Sequence, residues 1–170
     1  ATTADAGDAG ELLQRADLAR YVAKRAGKGR WCRYQAELHA AIVDRLELRT
    51  ALAEAVRRDA LTVEYQPIVE MRGGAATGFE ALVRWDHPGR GPVPPEEFIA
   101  LAEETGLIES IGDRVLREAV GAAARWHAAT GDATYVSVNV SARQLRAPGF
   151  VGRVRAVLAA AGVPPARVML

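Results

Sequence analysis

Gly78-Phe79-Glu80-Ala81-Leu82-Val83-Arg84-Trp85 alternates in a period of two that organises the rest of the chain. As a β-strand it sends Glu80, Leu82 and Arg84 to one face and Phe79, Ala81, Val83 and Trp85 to the other. The second face is wholly apolar and requires a core. The first carries an anion and a cation on one side of the strand. Two readings of that face are open: a site that holds a cation through Glu80 and a phosphate through Arg84, or an edge-strand ion pair facing water.

Working outward, Leu61 to Glu70 predicts the preceding strand, with Thr62, Glu64 and Gln66 on one face and Leu61, Val63 and Tyr65 on the other. Pro67 suits an edge, a bulge or a strand end. The connection Arg72-Gly73-Gly74-Ala75-Ala76-Thr77 is too short for a parallel crossover, which takes a dozen or more residues, so neighbouring strands here must be antiparallel. On the other side, Asp86 to Pro95 reads as a loop stiffened by proline. Pro95 opens a helix with Glu96 and Glu97 in its first turn, and Thr105-Gly106 stops it. A second helix from about Ile111 to Ala128 has one apolar stripe. Thr134 to Ser141 predicts a third strand, with Val136, Val138 and Val140 opposite Tyr135, Ser137, Asn139 and Ser141. A helix over Phe150–Ala161 and the start of a fourth strand at Val168 complete the pattern.

Three of these stretches, YQPIV with FEALVRW, the Pro95-Glu96-Glu97-Phe98 run, and SVNVSARQL, resemble the EAL domain, the bacterial module that linearises cyclic di-GMP. The resemblance runs from about Leu48 to Leu170. It implies an α/β fold, a barrel like the TIM barrel with an antiparallel first strand, of which the chain holds about the first half. It implies that Glu80 is catalytic and, with Asn139, a ligand of Mg²⁺ or Mn²⁺, with Ca²⁺ inhibitory. It further implies that Gln66, Arg84 and Pro94 contact cyclic di-GMP, with Arg84 as the phosphate clamp. The implied reaction is hydrolysis to linear pGpG by metal-activated water. The family's remaining carboxylates and its Lys have no counterpart in these 170 residues, so the chain by itself is expected to be inactive. The alternative is a catalytically degenerate module that binds the nucleotide or a protein partner. A homodimer through the EAL domain is a further expectation from the resemblance.

Before that region, Asp8-Ala9-Gly10-Glu11 has the spacing of a capping box, and a helix follows to about Ala26. LLQRADLARYVAKRAGKGR resembles the last helix of a GGDEF domain. The resemblance implies a nucleotide-phosphate contact for Lys24 and, less directly, for Lys28; a basic helix end complementing the macrodipole explains them as well. Trp31 to Tyr34 predicts a short strand. Gln35 to Arg58 predicts an uninterrupted helix about 35 Å long, resembling a rigid connector. The expected divisions are a GGDEF remnant over 1–36, a helical linker over 37–58 and half of an EAL domain over 59–170. The formal charge of +1 gives no reason to expect nucleic acid or an anionic membrane as partner. The single Cys32, the lack of a bilayer-spanning apolar run and the lack of a signal peptide in these residues point to the cytoplasm, and leave open a membrane anchor in sequence outside them.

Overall fold

The computed structural model describes residues 7–25, 34, 36–130 and 134–170. They form two compact units, Ala1–Thr50 and Ala51–Leu170, each described by itself. The expected strand at Trp31–Tyr34 lies, except for Tyr34, outside the described residues, as do Lys28 and the side chain of Lys24.

In the first unit, helix α1 spans Ala9–Arg25. Asp8 starts it as its sequence predicts, with the Glu11 amide donating to Asp8 Oδ1 at 2.7 Å. The reciprocal arm reaches one residue further back than in the usual box, because Glu11 Oε2 accepts from the Gly7 amide at 2.6 Å. The Arg15 guanidinium lies 4.9 Å from the centre of the Tyr34 ring. Helix α2 spans Ala36–Arg57. Among the described residues no helix is long and apolar enough to cross a membrane.

The second unit is built on a five-stranded sheet. Strands β1 (Thr62–Val69) and β2 (Ala76–His87) pair antiparallel, as their short connection requires, with Gln66 aligned to Glu80 and Thr62 to Arg84. The turn between them closes through the Gly74 amide, which donates to the Glu70 carbonyl at 2.9 Å. Strand β4 (Tyr135–Val138) lies parallel to β2 on its other side, and β5 (Val168–Met169) lies parallel to β4. Gly78 leaves room for the ring of Tyr135, its partner in β4. A Cβ there would meet the Tyr135 ring at 2.7 Å.

Two expectations need correction. The segment Asp86–Pro95 is not all loop: β2 runs on to His87 and folds back on a short β3, Gly91–Val93. Gly91, at φ 71°, makes the reversal, and Pro92 is tolerated because β3 is an edge. The third strand is four residues long and stops at Val138, so Asn139 stands just beyond its end. Ser141 ends the extended run by capping a helix that begins at the next residue.

Helix α3 (Pro95–Thr105) begins at the predicted proline and ends at Gly106, whose φ of 85° suits glycine. Helix α4 (Leu107–Thr130) follows at once, and helices α5 (Ala142–Arg146) and α6 (Phe150–Ala161) come after β4. α3 and α4 cover the apolar face of β2. Phe79 packs on Trp126 of α4 at 4.6 Å between ring centres, and Trp85 meets Phe98 of α3 edge-on at 5.8 Å. Ala81, Trp85, Phe98, Leu101, Ile111, Val115 and Val136 are buried between sheet and helices. A second cluster joins α4 to α6 through Leu116, Val120, Leu158 and Val163. Asp59, in the left-handed conformation just after α2, pairs with Arg114 of α4 and ties the end of α2 to this layer.

Candidate functional site

With its apolar face covered by helices, the sheet presents its polar face on the other side. Register-aligned residues of neighbouring strands point the same way. Gln66, Glu80, Ser137 and Met169 therefore form one row across β1, β2, β4 and β5. Glu64 and Leu82 form the next row, and Thr62 and Arg84 the one after.

The row and the turn beyond β4 bring two predicted residues together. Asn139 Nδ2 donates to Glu80 Oε1 at 2.6 Å, joining positions 59 apart in sequence. Asn139 owes its position to the turn that follows. Ser141 Oγ accepts from the Gln144 amide at 3.2 Å, and Gln144 Oε1 accepts from the Ser141 amide at 3.1 Å. This capping box fixes the chain two residues past Asn139. Gln144 is buried in the core, and its amide fits over Gly112 of α4, where a Cβ would lie 1.8 Å from Nε2.

Arg84 stands four residues beyond Glu80, about 13 Å further along the strand. Its Nε donates to Glu64 Oε2 at 2.8 Å, and its Nη1 donates to the Val83 carbonyl at 3.3 Å. The ion pair on this face is thus made with β1 and not with Glu80. Gln66 is exposed beside Glu80. Pro94 is exposed just ahead of α3, where its carbonyl accepts from the Glu97 amide at 3.0 Å. Pro95, not Pro94, lines the neighbouring cavity. That cavity, about 290 Å³, opens where β2 runs on past the end of β4. Ala81, Val83, Ile99 and Ile111 give it an apolar lining, and Arg84 and Asn139 also border it.

The Glu80 carboxylate and the Asn139 amide are oxygen donors of the kind a hard divalent cation takes. They fit such an ion in kind, with the amide turned to present Oδ1, and would supply two of its roughly six ligands. Among the described residues no three of His, Cys, Asp and Glu cluster as a metal group. Glu64 and Gln144 are the residues the sequence reading did not single out. Both left a signal: Glu64 shares the predicted face with Gln66, and Ser141-Ala142-Arg143-Gln144 has capping-box spacing.

A mixed sheet with an antiparallel first strand, helices on one face and an Asn–Glu pair at the end of a parallel strand defines an α/β protein of the barrel type. The sequence profile of the EAL domain matches residues 49–170, and the chain belongs to that family. It is 41% identical over 138 residues to the cyclic di-GMP phosphodiesterase PdeR of Escherichia coli, covering 81% of this chain and 21% of that protein. It is 37% identical over 160 residues to MucR of Pseudomonas aeruginosa, a bifunctional diguanylate cyclase/cyclic di-GMP phosphodiesterase, covering 94% of this chain and 23% of that protein. The chain thus spans about a fifth of the length of these curated relatives. A solved structure of the MucR phosphodiesterase in complex with c-di-GMP matches with a TM-score of 0.69 and 38% identity, over 72% of this chain and 49% of that one.

Proposed function

We propose that this EAL domain binds cyclic di-GMP on the polar face of its sheet, and that the protein carrying it hydrolyses the ligand to linear pGpG. The observation that carries the reading is the 2.6 Å hydrogen bond from Asn139 Nδ2 to Glu80 Oε1, which brings an amide and a carboxylate together across 59 positions; a flip of the amide would turn Asn139 Oδ1 towards a cation held by Glu80. In this reading both hold a divalent cation, Mg²⁺ or Mn²⁺. The bound cation supplies the polarisation of a phosphoryl oxygen and the acidification of water. Arg84 clamps a phosphate of the ligand, and Gln66 and Pro94 contact it. Helix α1 and the residues around it, 1–36, are the tail of a GGDEF domain, 37–58 a linker, and 59–170 part of the EAL domain. In support, the match to the bifunctional MucR covers 94% of the chain. A cytoplasmic location and a homodimer through the EAL domain belong to the same proposal.

The test uses the full-length protein. Cyclic di-GMP is titrated in Ca²⁺ to read binding, and pGpG release is followed in Mg²⁺ and in Mn²⁺. Glu80→Ala is expected to lose turnover by about 100-fold or more, since a metal site missing a ligand is disabled. Arg84→Ala is expected to weaken binding by about 10- to 100-fold, the value of hydrogen bonds to a charged group. Full turnover in Glu80→Ala would end the metal-ligand assignment. Tight binding with no turnover in the wild type would make the protein a receptor instead.

A further inference from the structure

We propose, resting on that binding reading, that Glu64 is a positioning residue that orients the Arg84 guanidinium for a ligand phosphate. Glu64 and Arg84 are diagonal neighbours on one face of an antiparallel pair, since Glu64 is aligned with Leu82 and Thr62 with Arg84. Long side chains reach across that diagonal. The guanidinium is fixed at two points, Nε on Glu64 Oε2 at 2.8 Å and Nη1 on the Val83 carbonyl at 3.3 Å. Two fixed points set the plane of a rigid fork. Neither bond uses Nη2, the arm of the fork that this reading assigns to the anion.

A role in stability does not account for the pair. The Glu64 side chain is 65% exposed, and exposed ion pairs contribute little to folding. Nor does charge account for it, because a carboxylate beside the clamp opposes an anionic ligand. What Glu64 does supply is order. An unheld arginine loses the freedom of its long side chain when it closes on a phosphate, and a held one has lost it beforehand. Orientation and charge therefore act on affinity in opposite directions. Glutamine separates them, since its amide oxygen still accepts from Nε while the negative charge is gone.

The experiment titrates full-length protein with cyclic di-GMP in Ca²⁺, comparing Glu64→Gln and Glu64→Ala in the wild-type and Arg84→Ala backgrounds. Glu64→Ser, also too short to reach Nε, serves as a second truncation should the alanine variant not fold. Glu64→Gln is expected to bind at least as tightly as wild type. Glu64→Ala is expected to bind about three- to tenfold more weakly than Glu64→Gln, the value of one hydrogen bond. In the Arg84→Ala background that gap is expected to vanish, because Glu64 acts only through Arg84. Equal affinity of the glutamine and alanine variants, or a gap that persists without Arg84, overturns the assignment of Glu64 and leaves the binding reading standing. A wild type that does not bind cyclic di-GMP at all overturns both.

Discussion

Glu64, Glu80 and Arg84 together give the polar face two carboxylates and one guanidinium, a net charge opposed to a ligand with two phosphodiesters. Binding should therefore depend on a divalent cation beside Glu80. Replacing Ca²⁺ by EDTA is expected to weaken cyclic di-GMP binding by about tenfold or more, read by titration at constant ionic strength. The facing directions of Glu80, Arg84 and Asn139 were legible in the sequence, because a period of two is local. Their partners were not. Whether Arg84 meets Glu64 or Glu80 depends on register across a turn, which alternation alone does not specify. Tyr65 illustrates the opposite face. Its ring packs edge-on against Trp126 at 5.0 Å, while its hydroxyl is buried without a hydrogen-bond partner among the described residues. Burial first, and then the charge of Glu118, raise its pKa above the ordinary tyrosine value, against a smaller opposing effect of Arg125. The folded state thus disfavours the phenolate. The contribution is intact below about pH 10, the unfolded value, and is lost as pH rises through the folded value. Tyr65→Phe is expected to stabilise the protein by about 1 kcal/mol near neutral pH and to remove this part of its alkaline destabilisation. Urea unfolding at neutral pH and at pH 10.5 or so would check both.

Helix α5 is five residues long and would not persist alone. It is held by its capping box and by the burial of Gln144 against Gly112. The result is a chain of contacts from α4 through α5 to the residue that touches Glu80. Gly112→Ala would place a methyl group 1.8 Å from Gln144 Nε2 and 2.6 Å from its Cδ, so the Gln144 side chain must leave and its arm of the capping box, Oε1 on the Ser141 amide, must open. A loss of about 1–3 kcal/mol in stability is expected, together with weaker ligand binding as Asn139 loses its fixed approach. Gly112→Ala with Gln144→Ala removes the clash but does not restore the Gln144 arm of the cap. It should regain part of the stability in urea unfolding and little of the binding. The cap was legible in Ser141 and Gln144, yet its consequence, a strand that stops at Val138, was not, because valine alternation runs unbroken to Val140. Strand β3 was hidden for a related reason. Three residues that begin Gly91-Pro92 have no strand propensity of their own and pair only because β2 offers them an edge.

The antiparallel start of the sheet was legible from connection length, a limit that holds whatever the side chains are. The parallel pairing of β2 with β4 rests instead on α3 and α4, whose apolar stripes predict a layer without specifying its register. Among the described residues β5 has a neighbour on one side, β4, and is two residues long, with Met169 and Leu170 each more than half exposed. An unpaired strand flank with apolar side chains is a template for another chain. The 170-residue polypeptide, expressed by itself, is therefore expected to self-associate through that edge or to unfold at low temperature. Light scattering across a dilution series and thermal unfolding would follow both. It is also expected to release no pGpG in Mg²⁺ or Mn²⁺, since Glu80 and Asn139 would supply only two of the roughly six oxygen ligands such an ion takes. A stable monomer with turnover would mean that the described face holds the complete site and that water fills the remaining metal positions.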